Sequence, residues 1–298
     1  MEKDGTGEPL SIFKKGMMKN IIIITSLLLL TSCLDISAIM LYGGPGEYNF
    51  TNASLDSINH VDESKIHRLQ TLSDQDTIEI LYVGDYSQIE SDTIILYLHG
   101  NVPSMDGYWS TIAHIANLGE QHRYGVMMYD YRGYGKSTGT STDETSLASD
   151  YKSVVSWLNN RGLDSDRLIV FANSLGSLTA GPAAAGGSLI PIEKLIMETP
   201  QSSSAIIMQN ATGLSLPSSM LTSFYFDLAA DMSNYPGELL WMHGELDATA
   251  PFADAASAMR SHTGSYFEEA IYPTAGHGLR WDIGNEEWDR VLLNFILK

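Results

Sequence analysis

The chain has 298 residues, 44% of them hydrophobic, and sets 36 acidic against 17 basic side chains for a formal net charge of −19. That length suits one large domain or two small ones, and the apolar fraction excludes a disordered chain. Such a charge repels phosphate backbones and anionic headgroups, which argues against nucleic acid as a partner. It serves solubility, or an acid-rich face that recruits a cationic partner.

At the N-terminus, Lys14, Lys15 and Lys19 lie upstream of an apolar run from Ile21 to Leu30, which leads into Leu30-Thr31-Ser32-Cys33. A basic segment, a short apolar core and small residues together predict a secretory signal peptide over residues 1–32. The run falls far short of the roughly 20 residues that a spanning helix needs. Cys33 is the single cysteine, so no intrachain disulfide can form. The segment ending at Cys33 resembles the lipobox of bacterial lipoproteins. The resemblance implies that Cys33 is lipidated, becomes the mature N-terminus and anchors the domain in a bacterial envelope, outside the cytoplasm. A buried core segment with an incidental cysteine is the competing reading.

Residues 33–76 are mixed and turn-rich, punctuated by Gly43-Gly44-Pro45-Gly46, and read as a tether and irregular lead-in. From Thr77 onward, short apolar runs alternate with helical patterns. Ile78 to Val83 alternates as a half-buried strand does. Thr93 to Leu98, Gly125 to Tyr129, Leu168 to Ala172, Lys194 to Glu198 and Glu238 to Met242 read as strands buried on both faces, with a further strand from Phe267 to Tyr272. Thr145 to Asn160 puts Leu147, Tyr151, Val154, Val155 and Leu158 on one helical face, and Asn285 to Leu297 does the same with Trp288, Val291, Leu292, Phe295 and Ile296. Strand and helix in alternation predict a doubly wound, mostly parallel α/β sheet over residues 77–298. Residues 201–236 are longer than a crossover needs and rich in apolar side chains, from Ile206 to Phe226. They read as a cap over the binding crevice or as further core.

The chemical signal is the apolar strand Leu168-Ile-Val-Phe-Ala-Asn, which runs straight into Ser174-Leu-Gly176. A sharp strand-to-helix turn needs small residues two before and two after its serine, and lifts the hydroxyl off the sheet's carboxyl edge. Gly176 fits that need, and Ala172 stands where glycine is usual. A serine hydroxyl is a weak nucleophile until a base takes its proton. His277, between Gly276 and Gly278 late in the chain, is the candidate base, its flanking glycines letting the loop approach the serine. His60, His67, His114, His122 and His262 read as surface or packing residues, and His99 as a structural brace. Asp247, after the strand ending Trp241-Met-His-Gly, is the candidate acid that orients the imidazole, with Glu245 in poorer register. The oxyanion donors are assigned to the backbone N–H groups of Leu175 and Asn101, with Val102 as the alternative to Asn101. No His-x-x-x-His or carboxylate–histidine cluster points to a metal.

From Thr77 to the C-terminus the chain resembles the α/β-hydrolase superfamily, closest to Bem46-like and ABHD17-type serine hydrolases. The matching runs are Leu96-Tyr-Leu-His-Gly-Asn101, Tyr129-Asp-Tyr-Arg-Gly-Tyr-Gly-Lys-Ser-Thr-Gly139, Asn173-Ser-Leu-Gly176, His243-Gly-Glu-Leu-Asp247 and Gly276-His277. The resemblance implies a cofactor-free enzyme acting on esters and thioesters, and a structural loop near the site built by the Asp130-to-Gly139 run. Ala172 and Val102-Pro-Ser104 depart from the family pattern. A catalytically silent, lipid-anchored binding protein on the same fold is the alternative.

Overall fold

The computed structural model describes residues 41–119, 124–141, 143–213, 217 and 222–298. The expected leader, Cys33, His122, and Leu214, Met220 and Leu221 of the insertion lie outside those residues. Eight strands form one sheet in the order β1-β2-β4-β3-β5-β6-β7-β8. β1 (Ile66–Ser73) and β2 (Asp76–Val83) make an antiparallel hairpin, and β2 runs antiparallel to β4 (Tyr124–Tyr129). β3 (Thr93–Leu98), β5 (Leu168–Asn173), β6 (Lys194–Glu198), β7 (Glu238–Gly244) and β8 (Tyr266–Tyr272) complete the sheet, and every other pairing is parallel.

Helices cover both faces, so alternate residues of one strand enter two different cores. Ile94, Leu96, Val170 and Trp241 join one core, packed under α2 (Glu144–Asn159); Ile95, Phe171, Ile196 and Leu240 join the other, under α1 (Trp109–Ala116). The Asp143 side chain caps α2 by accepting the Ser146 N–H at 2.8 Å. The remaining helices are α3 (Ser177–Pro182), α4 (Ser204–Thr212), α5 (Leu228–Asn234), α6 (Phe252–Met259), α7 (Leu279–Ile283) and α8 (Asn285–Ile296). Among the described residues, no helix is long and apolar enough to cross a membrane.

Two expectations need correction. The lead-in does not run irregularly to residue 76, because the sheet begins at Ile66 and Leu41, Phe50 and Val61 are already buried. β1 is an edge strand with alternating exposure, and its sequence Ile-His-Arg-Leu-Gln-Thr-Leu-Ser mixes polar and apolar residues as a loop does. β2 is not half-buried. Ile78, Ile80 and Tyr82 enter one core and Leu81 and Val83 the other, because the two layers packed on the sheet cover both faces of β2.

The insertion divides between its two readings. Ile207, Met208 and Phe224 line a cavity beside Ser174, whereas Leu228, Met232 and Tyr235 of the α5 segment are buried in the core.

Candidate active site

The parallel strands bring their carboxyl ends to one edge, where the chain turns sharply at Ser174. Its φ of 49° is left-handed, a conformation that costs a non-glycine residue about 1–2 kcal/mol. Two contacts hold the turn. A Cβ on Gly176 would stand 2.1 Å from the Leu98 carbonyl oxygen, so only glycine lets the turn close against β3. Ser177 Oγ donates to the Ser174 carbonyl at 2.7 Å and accepts the Gln201 N–H at 3.1 Å, tying the turn to the segment after β6. Ala172 is fully buried, paired in register with Leu98 and Met197, so the core has room for its methyl group.

Asp247 follows β7 and is buried. Its Oδ1 accepts the N–H groups of Thr249 and Ala250, both at 2.8 Å, which fixes the carboxylate before it meets any partner. Its Oδ2 lies 2.7 Å from His277 Nδ1, and His277 Nε2 lies 2.9 Å from Ser174 Oγ. Residues 103 positions apart in sequence thus meet in one line of hydrogen bonds. An ionised Asp247 only accepts, so Nδ1 carries the proton and Nε2 is left to accept from the serine. Glu245 is exposed and donates its N–H to the Tyr272 carbonyl, which leaves Asp247 as the acid at the imidazole. The flanking glycines of His277 do not make the close approach expected of them. Neither has a positive φ, and a Cβ on either would meet its nearest neighbour at an ordinary 3.6 Å. Gly244 makes it instead, because a Cβ there would fall 2.2 Å from the Ala275 carbonyl oxygen.

Leu175 and Asn101 line one cavity with Ser174, so the structure gathers both residues assigned as oxyanion donors around the hydroxyl. Val102 is exposed and lines a second cavity that also touches Ser174. The Asp130-to-Gly139 loop reaches this region through Tyr134, whose hydroxyl donates to Asn101 Oδ1 at 2.6 Å. Asp130 is buried, accepts the Met105 N–H at 2.8 Å and receives a short hydrogen bond from the Tyr48 hydroxyl. His99 lies 3.3 Å from Asp130 with its ring fully buried, in keeping with a bracing role. Of the histidines read as surface or packing residues, His114 and His262 are buried; His114 lies between Asn59 and Asp289 at 2.7 and 2.6 Å.

Sequence reasoning assigned no role to Ser177, Glu198, His243 or Arg280. Trp241 Nε1 donates to His243 Nδ1 at 3.2 Å, so His243 Nε2 keeps its proton and donates to the Ala250 carbonyl at 2.9 Å. Burial lowers the His243 pKa and keeps the ring neutral, bracing the turn that holds Asp247. Glu198, at the end of β6, accepts from Trp288 Nε1 at 2.7 Å and Asn173 Nδ2 at 3.1 Å, and burial raises its pKa. An acidic residue closing an apolar strand was the available signal for Glu198. Arg280 carried none. Among the described residues, no group of three or more His, Cys, Asp or Glu side chains is placed to hold a metal ion.

This sheet order, with a serine on the turn after β5, an acid after β7 and a histidine after β8, is the α/β-hydrolase fold. Residues 93–187 match the family model described as the alpha/beta hydrolase fold. The uncharacterized protein YfhR of Escherichia coli (strain K12) is 28% identical over 164 residues, 53% of this chain and 54% of YfhR. The chain therefore spans about half the length of the curated relatives it matches. The Pyrococcus furiosus esterase Pf2001 superposes with a TM-score of 0.66 at 18% identity, over 86% of this chain and 96% of that one. A bromoperoxidase from Bacillus anthracis does so with a TM-score of 0.57 at 17% identity, over 78% and 100%. At these identities the likeness is one of fold, and the two neighbours carry different activities on it.

Proposed function

We propose that the chain is a serine hydrolase that cleaves carboxylic esters or thioesters through an acyl-enzyme intermediate. The observation that carries this reading is the line of hydrogen bonds from Ser174 Oγ through His277 to Asp247, at 2.9 and 2.7 Å, on a strained turn. An apolar cavity of about 340 Å³ adjoins the hydroxyl and suits an acyl chain. In this reading His277 Nε2 takes the Ser174 proton as Oγ bonds to the acyl carbon. The carbonyl oxygen becomes the oxyanion, facing the N–H groups of Leu175 and Asn101. The bond to the leaving oxygen or sulfur then breaks, and the imidazolium returns the proton to that atom. Water next gives a proton to His277 and attacks the acyl carbon, which frees the acid and restores Ser174.

The lipobox resemblance supports an envelope location with Cys33 as the anchor. Leu41 stands eight positions beyond Cys33 and lines the apolar cavity. At no more than about 3.5 Å per residue, an anchored Cys33 would hold that cavity within about 28 Å of the bilayer, close to lipid acyl chains. Mass spectrometry of the native N-terminus should find a lipidated Cys33; an unmodified cysteine or an intact leader rejects the anchor.

Fluorophosphonate labelling of the full-length chain, beside Ser174→Ala, tests the reaction. Wild type should label and hydrolyse p-nitrophenyl esters, and the variant should lose labelling and at least about 10³-fold in turnover while remaining folded. Full activity in Ser174→Ala refutes the assignment. A folded wild type that neither labels nor hydrolyses leaves the silent binding protein.

A further inference from the structure

Two cavities meet at Ser174. The second, of about 430 Å³, shares Asn101, Ser174 and Thr249 with the apolar one. The chemistry gives each a side, an argument that rests on the hydrolase reading above. A leaving oxygen takes its proton from the imidazolium, so the leaving group departs past His277. His277 lines the second cavity and not the first. The apolar cavity therefore holds the acyl chain and the second cavity the leaving group.

The wall of the second cavity contains a cation that no step of hydrolysis uses. Arg280 is 4% exposed. Its Nε donates to Asn285 Oδ1 at 2.9 Å and its Nη1 to Thr111 Oγ1 at 3.3 Å, both neutral acceptors. Its Nη2 makes no hydrogen bond to a described residue, and no described carboxylate comes within ion-pair distance of the guanidinium. The rings of Trp281 and Trp288 lie 5.0 and 5.3 Å from its Cζ, within cation–π range. Burial lowers its pKa, with the negative groups Asp289 and Glu198 opposing from farther off. A buried charge without a close counter-ion is expensive, and a ligand anion would relieve it.

Glu198 lines the same cavity and bears on the sign of any ligand. Both its oxygens already accept hydrogen bonds, from Asn173 and Trp288, which turns the carboxyl toward the protein. Burial raises its pKa, while the Trp288 hydrogen bond and the Arg280 charge act in the opposite direction. Tyr97, Tyr108 and Thr111 line the cavity too.

We propose that the second cavity is a leaving-group site for an alcohol that carries an oxyanion, phosphate or carboxylate, paired with the Arg280 guanidinium. The planar fork of arginine suits both anions. The long-range field of a chain at −19 works against such a ligand, so the preference is to be read near 0.15 M salt, where the Debye length is about 8 Å.

The test compares kcat/KM of the full-length protein on monoesters of glycerol, glycerate and glycerol 3-phosphate that share one acyl chain, in a butanoyl and a dodecanoyl series. Wild type should favour an anionic ester over the glycerol ester by about tenfold or more. The ratio should fall toward one in Arg280→Gln, with Arg280→Lys between. Preference confined to the dodecanoyl series identifies a lipid headgroup as the source of the anion; preference in the butanoyl series as well identifies a small soluble ester. A wild-type ratio of one or less in both series overturns the proposal without requiring any variant to fold. Failure of the hydrolase reading looks different, because no ester turns over and Ser174 stays unlabelled. Calorimetric titration of the full-length protein with glycerol 3-phosphate then decides the anion site by itself: saturable binding lost in Arg280→Gln supports it, and no binding rejects it.

Discussion

At the scale of single residues, the site depends on groups fixed before any substrate arrives. Asp247 has one oxygen held by two backbone N–H groups and the other at the imidazole. In Asp247→Asn the first oxygen can keep its donors, but the amide would then donate to Nδ1 and leave the proton on Nε2. That tautomer cannot accept from Ser174. The expected result is a loss of about 10³–10⁴ in kcat on a p-nitrophenyl ester with Tm nearly unchanged, measured side by side. Asp231 in α5 behaves otherwise. Burial, helped by Asp227, raises its carboxyl from 3.8 to about 6. The folded state therefore binds the proton more tightly than the unfolded chain, and this group withdraws stability as pH rises from about 4 to about 6. Asp231→Asn should remove that dependence and stabilise the protein at pH 7. Because Asp231 is only partly buried, the gain is of order 1 kcal/mol, or about 2–4 °C in Tm. Melting curves at pH 4 and pH 7 check it, and an equal effect at both would rule it out.

At the scale of elements, the serine turn depends on how closely three segments approach. β3 supplies the Leu98 carbonyl, β5 ends at Asn173, and the segment after β6 donates Gln201 N–H to Ser177. Gly176→Ala would drive a methyl into the Leu98 carbonyl, which is backbone and has little freedom to give. The expected cost is about 2–4 kcal/mol, with fluorophosphonate labelling slowed even in the molecules that stay folded. Denaturant titration beside labelling kinetics measures both, and a variant as stable and as reactive as wild type would contradict the packing argument. The insertion shows how one segment serves two ends. Its first part reaches the cavity through Met208 and its last part packs under the sheet through Met232, so hydrophobicity alone could not assign it.

At the scale of the whole molecule, Arg132 joins three parts of the chain at one point, where Ser149 of α2 also bonds Asp74 at 2.8 Å. Its guanidinium bonds Asp150 of α2 at 2.7 and 2.9 Å, and Ser73 and Asp74 at the β1–β2 turn at 2.9 Å each. Its own N–H reaches Asp150 as well. The loop after β4 is thus tied to both the edge hairpin and a core helix. Arg132→Met would leave the fully buried Asp150 without its cation, at a cost of about 3–5 kcal/mol, and Tm should fall by roughly 10 °C. The double variant Arg132→Met with Asp150→Leu should recover part of that loss, because no buried charge would then be left unpaired; a double variant no better than the single one would discount the pairing.

The sequence by itself determined the central strands, the two amphipathic helices and the three residues that meet at the candidate site. Strands buried on both faces need unbroken apolar runs, and a sharp strand-to-helix turn needs small residues, so both demands are written locally. It also preferred Asp247 to Glu245 as the acid by register, and the hydrogen bond to His277 falls on Asp247. Only the tertiary structure decided the rest. Ile66 to Ser73 joins the sheet because β2 offers it an open edge, a partner that no local pattern announces. The close approach at the histidine loop belongs to Gly244 rather than to Gly276 or Gly278, because the contact is made across strands. Glu198 and Arg280, 82 positions apart, line one cavity beside Ser174, and burial, a property of the assembled chain, is what gives both their chemical character.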